Sequence, residues 1–194
     1  MRLRLLPVFA ALLTAGLSLS AAADDIADQI TEAQKAYEKH DLTATLAALD
    51  TAGRLLRQAK SDSWQTLLPA APAGWSAADA EVTTVALESF GGGTSVSRAY
   101  QKGDATVTVA YVAESPVIQA VGSVMANGQT IAEDAKLLII DGRKVTYSKS
   151  DTSYTTMVGK VLVSVKGDGA DDAALRAFLK AIDYAGLEKA GSGS

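Results

Sequence analysis

Apolar positions along the chain follow two rhythms, and one gives way to the other near residue 64. Ile26, Ile30, Ala33 and Tyr37 recur at steps of four, three and four, and Leu42, Leu46, Leu49, Gly53 and Leu56 keep similar spacing. Such steps hold side chains on one face of a helix, so each run predicts an amphipathic helix. His40-Asp41 marks the turn between them. Asp41 or Thr43 is placed to accept from free amides in the second helix's first turn, and Arg54, Arg57 and Lys60 oppose the negative end of its dipole. Together the runs predict an antiparallel helical hairpin.

After Ser61-Asp62-Ser63, a connector holds Pro69, Pro72 and Gly74 between Trp64 and Trp75, and the period then shortens to two. Residues 82–90 read as a strand ended by Gly91-Gly92-Gly93. Residues 94–101 alternate with Val96, Arg98 and Tyr100 on one face. Residues 105–113 do the same with Val107, Val109 and Tyr111, and Lys102-Gly103-Asp104 is the turn between the two strands. Ser115-Pro116 is a helix start, with serine as cap and proline where its missing amide hydrogen costs nothing. Val117, Ile118, Val121, Val124 and Met125 would form that helix's apolar face, and Asn127-Gly128 stops it.

Residues 137–140 read as a buried strand, and Asp141-Gly142 as a hairpin turn that needs positive φ. Residues 144–149, 154–158 and 160–166 predict further strands, and 170–187 a final amphipathic helix bearing Leu175, Phe178, Leu179 and Ile182. Hairpin-linked strands with segregated helices predict an α+β fold. Its largely antiparallel sheet has about six or seven strands, helices packed on one face, and a helical hairpin in front.

The first 23 residues fall outside that fold. Arg2 and Arg4 precede an uncharged apolar run over 5–19, and Ser20-Ala21-Ala22-Ala23 leads into Asp24-Asp25. This is the layout of a secretory signal peptide cut after Ala23, with Ala22 the neighbouring choice. The expected organisation is therefore 1–23 signal peptide, 24–61 helical hairpin, 62–190 sheet domain and 191–194 flexible Gly-Ser tail. The expected location is the periplasm or the exterior, with no membrane anchor after cleavage.

Composition removes most chemistries. The 194 residues include no cysteine and one histidine, which excludes a disulfide scaffold, a thiolate nucleophile and a Cys- or multi-His metal site. The formal charge of −4 argues against a nucleic-acid partner, and loss of Arg2 and Arg4 with the signal leaves 16 basic against 22 acidic residues, a net −6.

Gly91-Gly92-Gly93-Thr94 lacks the lysine and following helix of a phosphate loop. Asp168, Asp171 and Asp172 lack calcium-loop spacing and suit a helix N-terminus instead. His40 sits in a turn away from any serine elbow, and Met1, Met125 and Met157 do not make a copper cluster. Glu81, Glu88, Glu114 and Glu133 are the carboxylates available to a hydrolase. Arg98, between Val96 and Tyr100, is either a surface arginine or a bidentate anion binder. Trp64 and Trp75 either pack on the sheet edge or form a binding lip, and Tyr100 and Tyr111 complete the candidate binding set.

The stretch Leu67-Leu68-Pro69-Ala70-Ala71-Pro72-Ala73-Gly74-Trp75, leading into an antiparallel sheet, resembles the opening of PsbP/Mog1-like secreted domains. Residues 64–187 also resemble a family of uncharacterised exported bacterial proteins with a Pro-Gly-Trp opening, a Phe-Gly-Gly-Gly-Thr turn (Phe90 to Thr94) and an Arg-x-Tyr strand (Arg98 to Tyr100). These motifs carry no catalytic residues across, and the PsbP/Mog1 likeness implies a non-enzymatic accessory or docking role. The expectation is a cofactor-free binding module acting through a protein partner. A carrier of a small apolar, lipid-like ligand and a carboxylate-dependent hydrolase are the alternatives.

Overall fold

The computed structural model describes residues 18–84, 93–113, 115–130 and 134–192. The chain divides into two compact units, residues 1–60 and 61–194.

The first unit is the helical hairpin. Helix α1 spans Ser18–Glu38, and helix α2 spans Leu42–Gln65, with its last residues already in the second unit. His40 adopts φ 59°, which turns the chain, and Asp41 caps α2 by accepting from the Ala44 amide at 3.0 Å. The side chains that lose solvent are small ones: Ala33 and Ala36 on α1, Ala48 and Ala52 on α2. Ala33 and Ala48 lie at matching levels on either side of the turn, and the four alanines form the buried stripes of the pair. The leucine stripe expected to pack is instead exposed, because alanines let two helices approach closely and larger side chains are then displaced from the line of contact.

The second unit is an antiparallel sheet of strands β1 Ser76–Ala77, β2 Glu81–Thr84, β3 Thr94–Lys102, β4 Ala105–Ala113, β5 Ala135–Ile140, β6 Arg143–Ser148, β7 Ser153–Val158 and β8 Val161–Asp168. The order is β1-β3-β4-β8-β7-β6-β5, with β2 pairing alongside β1 on the outer side of β3. Helix α3, Pro116–Ala126, carries the chain from β4 to the far edge, and β5 to β8 return as a meander. Helices α4, Asp172–Ala181, and α5, Tyr184–Ser192, follow.

Register explains the core. Val96, Arg98 and Tyr100 stand opposite Tyr111, Val109 and Val107, which in turn oppose Val163, Val165 and Gly167. The valines and tyrosines of this set are fully buried beneath Leu175, Phe178, Leu179 and Leu187 of α4 and α5. The other face reads Ser95, Ser97, Thr106, Thr108 and Ser164, all half-buried. Alternation of this kind covers one face and leaves the other polar.

Several expectations change in detail. The C-terminal helix pair covers the core face, whereas α3 crosses the opposite face, where a Cβ on Gly122 would stand 3.0 Å from the Met157 methyl. Its Ser115 cap accepts from Ile118 as expected, at 3.3 Å. The strand expected to be buried, 137–140, is the sheet edge, and Ile139 is 65% exposed. The single C-terminal helix breaks at Ile182-Asp183 into two, because Ile182 takes an extended conformation. The expected tail is helical through Ser192, and residues 193 and 194 lie outside the described residues. The strand expected over 82–90 is present at 81–84; the rest of it, with Gly91 and Gly92, also lies outside.

Gly93 enters β3 at φ 127°, and a Cβ there would fall 2.6 Å from the Ala113 carbonyl oxygen. Neither the conformation nor the space tolerates a side chain. Gly93→Ala is expected to cost about 1–3 kcal/mol. Denaturant unfolding measures this, and an unchanged midpoint would contradict the register at the β3–β4 edge.

Candidate functional site

The five residues singled out in the sequence come to one face of the sheet, but most of them hold the chain rather than open toward a ligand. The segment between the helical hairpin and β1 lies over β3 and β4 as a strap. The Tyr100 hydroxyl donates to the Pro69 carbonyl at 2.6 Å, and the Tyr111 hydroxyl donates to the Leu67 carbonyl at 3.0 Å. Trp64 is buried within the core beside Leu68. Trp75 meets Phe178 edge-to-face with ring centroids 5.3 Å apart, and Phe178 in turn lies 4.6 Å from Tyr100. A buried tyrosine needs a partner for its hydroxyl, and strap carbonyls with no sheet neighbour need a donor, so the contacts satisfy both sides.

Arg98 projects onto the same face. Its guanidinium lowers the Tyr100 phenol's affinity for its proton, but burial outweighs this and the Tyr100 pKa is raised overall. Burial likewise raises Tyr111 far above the ordinary phenol value. The Arg98 Nε is buried without a hydrogen-bond acceptor among the described residues. The set is therefore a clamp with one cation at its margin.

A second cluster joins β7 to the start of α4. The buried Tyr154 donates to the Asp172 carboxylate, which also accepts from Arg176 Nε at 2.7 Å. The Arg176 guanidinium lies 5.4 Å from the Tyr154 ring centroid. Burial, then the bond to Asp172, pushes the Tyr154 phenol up to about 12. The hydrogen bonds from Tyr154 and Arg176 hold Asp172 below the usual carboxylate range.

Two of the cavities formed by the described residues flank the sheet. One, of about 310 Å³, lies between α3 and the β6–β7 strands, where Met125, Met157, Arg143, Lys144 and Thr156 line it. The ladder between β6 and β7 is registered only over residues 146–148 and 153–155, and Thr156 Oγ1 bonds the Lys144 carbonyl beyond it. The other cavity, of about 440 Å³, lies by Trp75, Lys102 and the start of α4. Among the described residues no three His, Asp or Glu side chains converge as a metal site, and no helix is long and apolar enough to cross a membrane. Of the hydrolase carboxylates, Glu81 is exposed on β2, while Glu88, Glu114 and Glu133 lie outside the described residues.

The hairpin, which the sequence already marks as the place to seek a partner, carries an exposed apolar surface. Ile30, Tyr37, Leu42, Leu46, Leu49 and Leu56 are 49–63% exposed. At about 100° per residue, Ile30 and Tyr37 lie to one side of the alanine seam of α1, and the leucines lie in the same rotational sense from the seam of α2. The helices run antiparallel, so the same sense about each places both sets on one face. The signal was present in the alanines, which form their own stripe at 33, 36, 48 and 52.

Tyr100→Phe and Tyr111→Phe each remove a donor from a strap carbonyl, an expected loss of about 1–3 kcal/mol. The strap should then become the first site of proteolysis under native conditions; equal resistance in variant and parent would refute the clamp. The raised phenols also set a pH window. Stability contributed by neutral Tyr154 is complete below about pH 10 and is lost as pH rises toward about 12. Asp172 acts at the other end: its contribution is present above its ordinary carboxylate value and is lost as pH falls through the lowered folded value. Unfolding curves at alkaline pH should flatten in Tyr154→Phe.

Comparison of the chain with protein-family models, with curated proteins and with solved structures gave no match in any of the three.

Proposed function

We propose that this protein is a non-enzymatic exported module, periplasmic or secreted, that works through protein–protein contacts made by its helical hairpin. The observation that carries this reading is the one-sided apolar face of the hairpin, on which Ile30, Tyr37 and four leucines stand without a charged residue between them. Large apolar faces of this kind on a soluble chain mark interaction surfaces. Support comes also from the candidate set around Arg98, whose tyrosines and Trp64 are committed to packing. The basic start, apolar run and alanine site over 1–23 support export.

A second reading is favoured by the cavity beneath α3, where Met125 and Met157 offer adaptable apolar walls to a small lipid-like ligand. Native mass spectrometry of protein taken from its own cells tests it, and a bare polypeptide mass would set it aside.

For the leading reading, a photo-crosslinking amino acid at Leu46 in cells should yield adducts, and one at Glu32, on the opposite side of α1, should not. Leu49→Glu should abolish the Leu46 adducts. No adduct from the apolar face would sink the reading. The exported protein should begin at Asp24 by mass; retention of Met1 would refute the cleaved signal.

A further inference from the structure

We propose that the opening where β6 and β7 part binds a medium-chain carboxylate, its alkyl chain against Met125 and Met157 and its head on Lys144 and Arg143. This rests on the reading of the protein as a carrier of a small lipid-like ligand, and it names the head group and the chain length.

The opening follows from the register. Thr146, Tyr147 and Ser148 pair with Thr155, Tyr154 and Ser153, yet β6 begins at Arg143 and β7 runs on to Val158. The ladders on either side stay closed to their ends, with Arg143 opposite Ile140 and Val158 opposite Val161. Each strand is thus held by its outer neighbour while the two separate, and the Thr156 hydroxyl donates across to the Lys144 carbonyl at 2.8 Å. Side chains alternate along a strand, so Arg143 and Thr156 share the core face with Val145 and Tyr154, and Lys144 and Met157 belong to the face that α3 crosses. All four line the cavity, which therefore sits in the gap between the strands.

One part of the lining is apolar. Gly122 has no side chain to fill the space, Met125 is buried, and the Met157 methyl lies 3.0 Å from where a Cβ on Gly122 would stand. Unbranched thioether side chains adapt to a flexible hydrocarbon. The other part is cationic. Lys144 Nζ donates to the carbonyl of Ala126, itself a lining residue, at 2.8 Å, which holds the ammonium beside the cavity. Two of its three hydrogens are left for a ligand oxygen. The Arg143 guanidinium lies 4.2 Å from the Tyr184 ring centroid. Among the described residues neither cation forms an ion pair with an acidic side chain, Asp141 of the same turn included. Cations without a carboxylate of their own, set beside apolar walls, suit an anion that carries a hydrocarbon tail.

Volume sets the length. With about 30 Å³ for each water-sized group, a cavity of about 310 Å³ holds about ten non-hydrogen atoms, the size of octanoate.

Methyl NMR and calorimetry on the purified exported protein test the proposal. The chain's methionines are Met1, Met125 and Met157, so isotope-labelled methionine methyls report from both apolar walls, and Met125→Leu assigns them. Octanoate should shift both signals and bind once per chain with a Kd below about 1 mM. Butyrate should bind about a hundredfold more weakly, and octanol and octyltrimethylammonium about tenfold more weakly or less. Lys144→Gln and, independently, Arg143→Gln should each weaken octanoate about tenfold and leave octanol unchanged; the retained octanol affinity separates a lost head-group contact from a lost fold. Octanol binding as tightly as octanoate in the parent, or octanoate affinity indifferent to both substitutions, overturns the head-group assignment and leaves the lipid-like reading standing. Octanoate binding that moves neither methyl overturns the placement. Absence of binding by every member of the series removes this proposal and the carrier reading together.

Discussion

The second unit depends on one sheet face having almost no polar group to offer. Val107, Val109, Val163 and Val165 occupy the central strands β4 and β8, and all are fully buried. Such a face must be covered along its length, and α4 and α5 cover only part of it. The strap closes the remainder, but it is irregular backbone interrupted by prolines, and the carbonyls of Leu67 and Pro69 take their donors from outside it. Tyr100 and Tyr111 resolve both problems, since each adds a ring to the apolar face and a hydroxyl donor at its rim. Arg98 shares their face of the sheet, between the two tyrosine rows, and its guanidinium acts on the Tyr100 phenol.

The hairpin obeys a different constraint. It has too few residues to enclose a core, and among its described residues the fully buried side chains are the four alanines. A seam of methyl groups brings helices close and contributes little apolar area, while the larger side chains are left pointing to one side.

Strands and turns whose signal is local could be read directly from the chain. The alternation at 105–113 gave β4 at its true bounds, Asp141-Gly142 takes positive φ at both residues, and Ser115-Pro116 opens α3. The candidate site was legible only as a list. Arg98, Tyr100, Tyr111, Trp64 and Trp75 do converge on one face, but whether a tyrosine hydroxyl meets a ligand or a carbonyl of its own chain depends on where residues 67–69 come to rest, more than thirty positions away.

What the sequence by itself determined was most of the elements, their antiparallel pairing in hairpins and the α+β class, because period, turn chemistry and caps act over a few residues. Only the tertiary structure decided which of two apolar stripes became the seam of the helical hairpin, which strand became the edge, and on which face α3 lay. Those outcomes turn on competition between alternatives that look alike locally. Leucines and alanines at the same helical spacing are both apolar stripes, and only side-chain volume, expressed when two helices meet, sends one inward and leaves the other exposed.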